Sequence, residues 1–134
     1  MIDSEIYKKI FSLKTIAVVG LSRREDRASN YVSSYLQLNG FTIIPVNPNY
    51  KSIYGGKCYE SLNQIKQKVD IVNIFRKSKF ALSIVKEAIS IKASAIWMQD
   101  GVHSTEAFNL ANDNNIMIIM DDCIMRRHIE LNGR

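Results

Sequence analysis

The chain has 134 residues, of which 46% are hydrophobic and 23% charged, with six glycines and two prolines. This composition excludes disordered, fibrous and low-complexity classes, and the length fits a single domain over residues 1–134. The formal charge of +5 indicates an anionic partner, but no basic run or nucleic-acid-binding signature accompanies it, which disfavours nucleic acid.

Short apolar runs alternate with segments of helical periodicity, a pattern typical of βαβ units built on a parallel sheet. An amphipathic segment at residues 3–13 predicts a helix before the first run. The runs are apolar on both faces, as strands covered by helices on both sides must be. The five predicted strands are Ile16–Val19, Phe41–Ile44, Ile71–Phe75, Ala95–Met98 and Ile116–Met120.

The helix after the first strand is predicted from an apolar stripe that starts near Ser29 and Asn30, either of which can cap it. Gly40 is placed to end this helix. The connection from the second to the third strand predicts a long loop and then a short helix, because Ser61 and Gln64 have capping-box spacing. Further apolar stripes predict helices over residues 80–89, 107–111 and 123–131.

Together these elements predict an α/β fold, a Rossmann-like, doubly wound and mainly parallel five-stranded sheet with helices on both faces. In such a sheet the ligand lies beyond the carboxyl ends of the strands, where neighbouring connections leave toward opposite faces. The loops at residues 20–29, 45–51 and 76–78 are therefore expected to converge on one site.

The first of these loops begins with glycine and ends at a helix N-terminus, where unpaired N–H groups and the helix dipole suit a pyrophosphate. Gly20 would let the backbone approach the phosphates, the hydroxyls of Ser22 and Ser29 would donate to phosphate oxygens, and Arg23 and Arg27 would add charge. In the competing interpretation, Gly20 only makes a tight turn, the two serines cap a helix, and the arginines lie in a solvated loop. If the first holds, Gly20→Val should abolish ligand binding and leave the fold largely intact.

A standard NAD site is disfavoured on two grounds. The loop lacks the two further glycines of the dinucleotide fingerprint, and no acid occurs from Phe41 to Tyr59 to bond the ribose hydroxyls. Lys51 in that stretch instead suits a ribose that carries a phosphate. Such a ribose belongs to coenzyme A, with its 3′-phosphate, or to NADP, with its 2′-phosphate.

Motifs at four strand ends resemble the small coenzyme A-binding domain family, which is similar in fold to the N-terminal domain of the succinyl-coenzyme A synthetase α subunit. The resemblance follows the chain in order over residues 14–130. The motifs are Val18-Val19-Gly20-Leu21-Ser22, Ile44-Pro45-Val46-Asn47-Pro48, Asn73-Ile74-Phe75-Arg76 and Met120-Asp121-Asp122-Cys123-Ile124-Met125.

The resemblance implies a site for each part of coenzyme A. It assigns the diphosphate to Gly20, Ser22 and Ser29. It also assigns the adenosine to Val46 and Asn47, and the pantetheine path to Phe75 and Arg76. The full set of candidate binding residues is Gly20, Leu21, Ser22, Arg23, Arg27, Ser29, Pro45, Val46, Asn47, Lys51, Phe75 and Arg76.

No catalytic group or metal site is predicted. Cys123 follows two acids and is expected to be a buried structural cysteine, and His128 is about 140° away from it on a helix. Trp97 is expected to pack in the core. Cys58 and Cys123 have no partner at metal-ligand or redox-motif spacing, and no export signal or long apolar stretch is visible, so the sequence predicts a cytoplasmic protein without a membrane partner.

The sequence therefore predicts a non-catalytic, stand-alone module that binds coenzyme A or an acyl-coenzyme A and acts as a sensor, carrier or partner of an enzyme. An NADP-dependent oxidoreductase, or a fragment of one, is the alternative. The oligomeric state, including a homodimer, is left open.

Overall fold

The computed structural model describes residues 4–132, and within them the strands form one five-stranded parallel sheet and one two-stranded hairpin. The strands are β1 (Thr15–Val19), β2 (Thr42–Val46), β3 (Ser52–Ile53), β4 (Gly56–Lys57), β5 (Ile71–Ile74), β6 (Ala95–Met98) and β7 (Met117–Ile119). The helices are α1 (Ser4–Phe11), α2 (Ala28–Leu38), α3 (Ala81–Ser90), α4 (Thr105–Asp113) and α5 (Ile124–Asn132).

The parallel sheet has the order β2-β1-β5-β6-β7, with β3 and β4 pairing separately as the hairpin. Alternate residues of β1 enter two different cores, since Ile16 and Val18 pack with α1, α2 and α5 while Ala17 and Val19 pack with α3 and α4. The fold is thus the predicted three-layer, Rossmann-like arrangement, and the strand predictions are confirmed to within two residues. No helix within residues 4–132 is long and apolar enough to cross a bilayer.

The predicted cap of α2 is wrong in its details. The helix begins at Ala28, and its N-cap residue, Arg27, makes no side-chain capping bond. Ser29 and Asn30 lie inside the first turn, and their side chains bond back to the preceding loop instead. The predicted end is confirmed, because Gly40 has a φ of +95° and follows directly after the C-cap residue.

The connection between β2 and β5 contains the hairpin, which the sequence did not predict. The short helix that follows is a single 3₁₀ turn, Leu62–Gln64. Its predicted capping box does not form, since the Ser61 side chain makes no capping bond and the Oε1 of Gln64 accepts the Glu60 N–H at 2.9 Å. The glutamine reaches one residue further back than a capping box requires.

The core contains the aromatic and sulfur side chains that the sequence placed there. Trp97 is fully buried and donates its indole N–H to the Asp122 carbonyl at 2.9 Å, and Cys123 is buried beside it in the same core. His128 of α5 is also buried, with its Nδ1 2.7 Å from the Tyr35 hydroxyl of α2. Burial lowers the pKa of His128.

Asp122 anchors the start of α5. Its carboxylate accepts hydrogen bonds from the Tyr7 hydroxyl, the Cys123 N–H and the guanidinium groups of Arg126 and Arg127, at 2.7 to 2.9 Å. Burial alone would raise the pKa of Asp122, but these donors together hold it below its usual value. Burial and the bond to Asp122 raise the pKa of Tyr7 to about 12, so the phenol remains a donor.

Asp122→Asn is expected to lower the free energy of unfolding at pH 7 by about 2–3 kcal/mol, because two guanidinium groups lose a buried partner yet keep partial access to water. The folded pKa lies below the unfolded value of about 3.9, so this contribution is complete above pH 4 and is lost as the pH falls further. Chemical denaturation at pH 7 measures the loss of stability in the variant, and the same experiment at pH 3.5 measures how much of the Asp122 contribution is lost in acid. The exposed Asp113→Asn is the matched control, and equal losses in the two variants would contradict the anchoring role.

Candidate functional site

The site lies where β1 ends between β2 and β5. The backbone N–H of Gly20 donates to the Val46 carbonyl at 2.8 Å, and that of Phe75 donates to the Val19 carbonyl at 2.9 Å. From these ends the chain leaves toward opposite faces, to α2 after β1 and to α3 after β5. The three predicted loops therefore meet at one crevice, as a doubly wound sheet requires.

The loop of residues 20–29 is fixed by its own hydrogen bonds. The Ser22 N–H donates to the Ser29 hydroxyl oxygen at 3.0 Å, and the Asn30 side chain donates to the Ser22 carbonyl at 2.7 Å. The Ser22 hydroxyl oxygen accepts the Arg24 N–H at 3.1 Å. Because both serine oxygens act as acceptors here, each hydroxyl keeps its proton available for a further acceptor.

Asn47 joins this loop to the one after β2. Its side-chain amide donates to the Leu21 carbonyl at 3.0 Å and accepts the Asn49 N–H at 2.9 Å, while its backbone N–H donates to Tyr59 at 2.8 Å. Leu21 is fully buried and its carbonyl is already bonded to Asn47, so this predicted contact residue supports the loop from within.

Three cavities beside these loops form the candidate site, and a further cavity of about 680 Å³ lies between Arg23, α2 and the hairpin. The one between the first two loops, which we call the loop cleft, has a volume of about 380 Å³. Its floor is Gly20 and one wall is the start of α2, where the N–H groups of Ala28 and Ser29 bond no acceptor within residues 4–132. The loop cleft is lined by Gly20, Ser22, Arg24, Arg27, Ala28, Ser29, Asn47, Tyr50 and Phe75.

The second cavity, the strand-end pocket, lies over the ends of β1 and β2 on the α3 side and measures about 180 Å³. Val46 and Pro48 form one wall. Arg76 forms another, with its guanidinium stacked over the Phe80 ring at 4.4 Å. Glu60 and Glu87 supply acceptors at the rim of this pocket.

The third cavity, the apolar groove, runs between α2 and α5 and measures about 480 Å³. It shares Ala28 and Phe75 with the loop cleft, so the two spaces are continuous. Gln99, at the end of β6, also lines it. The remaining lining residues are Tyr31, Val32, Asp100, Cys123, Met125, Arg126, Ile129 and Glu130.

The candidate binding residues line different cavities, a division that the sequence did not predict. The predicted partners Phe75 and Arg76 lie in different cavities, Phe75 facing the apolar groove and Arg76 the strand-end pocket. Pro45 is buried and lines a separate cavity beside the hairpin. Lys51 is exposed at the start of the hairpin and lines none of the three cavities.

The loop arginines differ in their surroundings. Arg23 is tied to the hairpin, donating twice to the Ser52 carbonyl at 2.9 and 3.1 Å and lying 4.9 Å from the Tyr50 ring centre. Arg27 is exposed and lines the loop cleft. Gln99 was not among the predicted site residues, although it directly follows β6, and a position at the carboxyl end of a strand is what identified the other loops.

Comparisons by family model, by sequence and by structure each find similar proteins. A family model described as a CoA binding domain matches residues 14–129. The uncharacterized protein YneT of Bacillus subtilis is 39% identical over 125 residues, which cover 93% of both chains. A solved structure of a hypothetical protein from Pyrococcus horikoshii is 34% identical, with a TM-score of 0.93 and coverage of 99% of this chain and 94% of that one.

Larger proteins contain a similar domain. The ADP-forming acetate–CoA ligase of Methanocaldococcus jannaschii is 27% identical over 130 residues, which are 90% of this chain but 18% of the ligase. A dinucleotide-forming acetyl-coenzyme A synthetase from Korarchaeum cryptofilum shares the fold at a TM-score of 0.74 and 20% identity, over 27% of its length. The chain thus spans about a fifth to a quarter of these enzymes.

The environment of Gly20 corrects the expectation about its replacement. Gly20 has a φ of +94°, and a Cβ there would lie 2.7 Å from the Phe75 carbonyl oxygen and 3.0 Å from the Cδ of Arg76. The fold itself therefore requires glycine at this position, because a side chain would collide with the backbone at the end of β5. A valine at this position would disturb the fold, so loss of binding in Gly20→Val would not locate the ligand.

Gly20→Ala is expected to lower the free energy of unfolding by about 1–3 kcal/mol more than Gly40→Ala, because only the first brings a Cβ against backbone. Gly40 is a close match, with a φ of +95° and no atom within 4 Å of its added Cβ, so both variants share the same backbone strain. Chemical denaturation measures the difference. Equal destabilisation of the two variants would show that the Phe75 carbonyl can move away from an added Cβ at no cost in free energy.

Proposed function

The chain belongs to the CoA-binding domain family, and from that premise we propose that it binds coenzyme A or an acyl-coenzyme A across the carboxyl edge of its sheet. The observation that carries the proposal is the loop cleft after β1, which is continuous with the apolar groove, while the strand-end pocket lies over the adjacent residues Val19 and Val46. Coenzyme A has three parts of matching chemistry, a charged diphosphate between a purine nucleoside and a long uncharged arm.

The diphosphate binds in the loop cleft. The Ser22 and Ser29 hydroxyls donate to phosphate oxygens, together with the free N–H groups of Ala28 and Ser29 at the positive end of the α2 dipole. Arg27 adds a full charge at the rim. Fixed donors around an anion support a diphosphate more strongly than a solvated loop would.

The adenosine binds in the strand-end pocket. Val46 and Pro48 supply apolar contacts for the purine, and the planar guanidinium of Arg76 stacks on its face. This places Arg76 with the nucleoside, whereas the sequence resemblance placed it on the pantetheine path. Phe75 lies at the junction between the loop cleft and the apolar groove. Its proposed role on the pantetheine path is therefore unchanged, since the arm leaves the diphosphate at this junction.

We further propose that the protein is a module without catalytic activity of its own, acting as a sensor, a carrier or the partner of an enzyme. Among residues 4–132 no three His, Cys, Asp or Glu side chains are grouped to hold a metal ion. His128, which could serve as a base, is buried against Tyr35, and Cys123, which precedes α5, lines the apolar groove. Neither arrangement presents a nucleophile next to a base.

The pure protein is therefore expected to show no acyl-coenzyme A synthetase and no dehydrogenase turnover. The assays supply acetate, coenzyme A and ATP or ADP for the first reaction, and NADP with a panel of alcohols for the second. The ligand-site variant Ser29→Ala serves as the control for trace contaminants. Turnover that Ser29→Ala abolishes would refute the non-catalytic proposal.

Lys51 lines none of the three cavities, so we propose it as the partner of the ribose 3′-phosphate only where that group extends into solvent. Removal of this phosphate is therefore expected to weaken binding about tenfold, the lower end of a charge-assisted hydrogen bond. Lys51→Ala should lower the affinity for coenzyme A by a similar factor and leave that for dephospho-coenzyme A nearly unchanged. Isothermal titration calorimetry on both ligands measures this cycle. The exposed Lys86→Ala on α3 is the matched control.

Two results would change the proposal in different ways. Equal affinities of the wild type for coenzyme A and dephospho-coenzyme A would remove Lys51 from the site. Tighter binding of NADP than of coenzyme A would favour the oxidoreductase alternative.

A further inference from the structure

A pair of buried amides lies beneath the apolar groove. Asn73 of β5 is fully buried, and Gln99, which follows β6, is 3% exposed. The Nε2 of Gln99 donates to the Oδ1 of Asn73 at 2.6 Å. The two side chains are therefore fixed against each other in the middle of the sheet.

This pair is incompletely satisfied. The Nδ2 of Asn73 has no hydrogen-bond partner within residues 4–132. Its neighbours in the sheet register, Val18 and Trp97, belong to an apolar core cluster, where a leucine or methionine would fill the space without an unmet polar group. Buried polar groups without partners are rare, so two amides kept here indicate a role beyond packing.

The pair is placed to meet a ligand in the groove. Phe75 directly follows β5 and stands two residues after Asn73, so the two side chains are on the same side of the sheet, and Phe75 lines the groove. Gln99 lines the groove itself. One N–H of its Nε2 is engaged by Asn73, and its Oε1 accepts no hydrogen bond within residues 4–132, so Gln99 offers the groove an open acceptor.

We propose that Gln99 recognises an amide of the pantetheine arm, and that Asn73 is the positioning residue that holds Gln99 in the required orientation. The arm has two amide groups, each with an N–H that can donate to the Gln99 oxygen, within an otherwise apolar stretch of chain. A buried acceptor in an apolar groove distinguishes such an arm from a purely hydrocarbon one, which leaves it unpaired. This inference rests on the proposed function.

The test compares coenzyme A with 3′-phospho-ADP, which is the same molecule without its arm. Gln99→Met, which retains the length of the side chain but not its amide, should weaken coenzyme A binding about five- to tenfold and change 3′-phospho-ADP binding less than twofold. Calorimetry measures both affinities. Gln67→Met, the same exchange at an exposed glutamine, is the matched control and should change neither.

The outcomes separate the two levels of inference. If the wild type binds neither ligand, the proposed function fails. If it binds both but Gln99→Met weakens them equally, or weakens neither, the proposed function survives and the role of Gln99 is refuted.

A measurement on the wild type covers the case in which Gln99→Met does not fold. In nitrogen-15 spectra, the side-chain amide signals of Gln99 and Asn73 should shift on addition of coenzyme A and stay in place with 3′-phospho-ADP. Unchanged signals at saturating coenzyme A would overturn the assignment.

Discussion

The close approach between the end of β1 and the end of β5 is the constraint on which the candidate site depends. The left-handed backbone at Gly20 and the Phe75 carbonyl, 2.7 Å from where a Cβ would stand, leave room for glycine alone. At Gly20 the chain turns away from the sheet directly after β1. The loop cleft lies at that turn and is continuous with the apolar groove through Phe75, and Val19, the residue before the turn, lines the strand-end pocket.

The sequence predicted the sheet and its loops well, because apolar runs and helical stripes report burial directly. It predicted neither the hairpin of β3 and β4 nor which cavity each side chain faces. The side chains of Ser29 and Asn30 have cap chemistry, yet they bond a loop seven and eight residues earlier, a choice set by tertiary contacts. Phe75 and Arg76 separate because successive side chains point to opposite faces of the sheet, which adjacency in sequence conceals.

Helices α2 and α5, which form the walls of the apolar groove, are held by polar contacts and present apolar side chains to the groove. Helix α5 is held at its start by the carboxylate of Asp122 and further along by the contact between His128 and Tyr35 of α2. Polar contacts thus set the spacing of the two helices, while Val32 and Ile129 supply the apolar surface between them. The helix that forms this wall is therefore fixed at its start and at its middle.

The amide of Asn47 links two loops through both of its ends, and every bond in that link is made by the protein's own groups. Folding therefore bears the entropy cost of ordering these loops, and an incoming ligand meets a preorganised surface. Little backbone rearrangement should accompany binding, and the association should show a small ordering penalty relative to its buried area. Under the proposed function, the loop would select a ligand by its fit to a shape that is already fixed before binding.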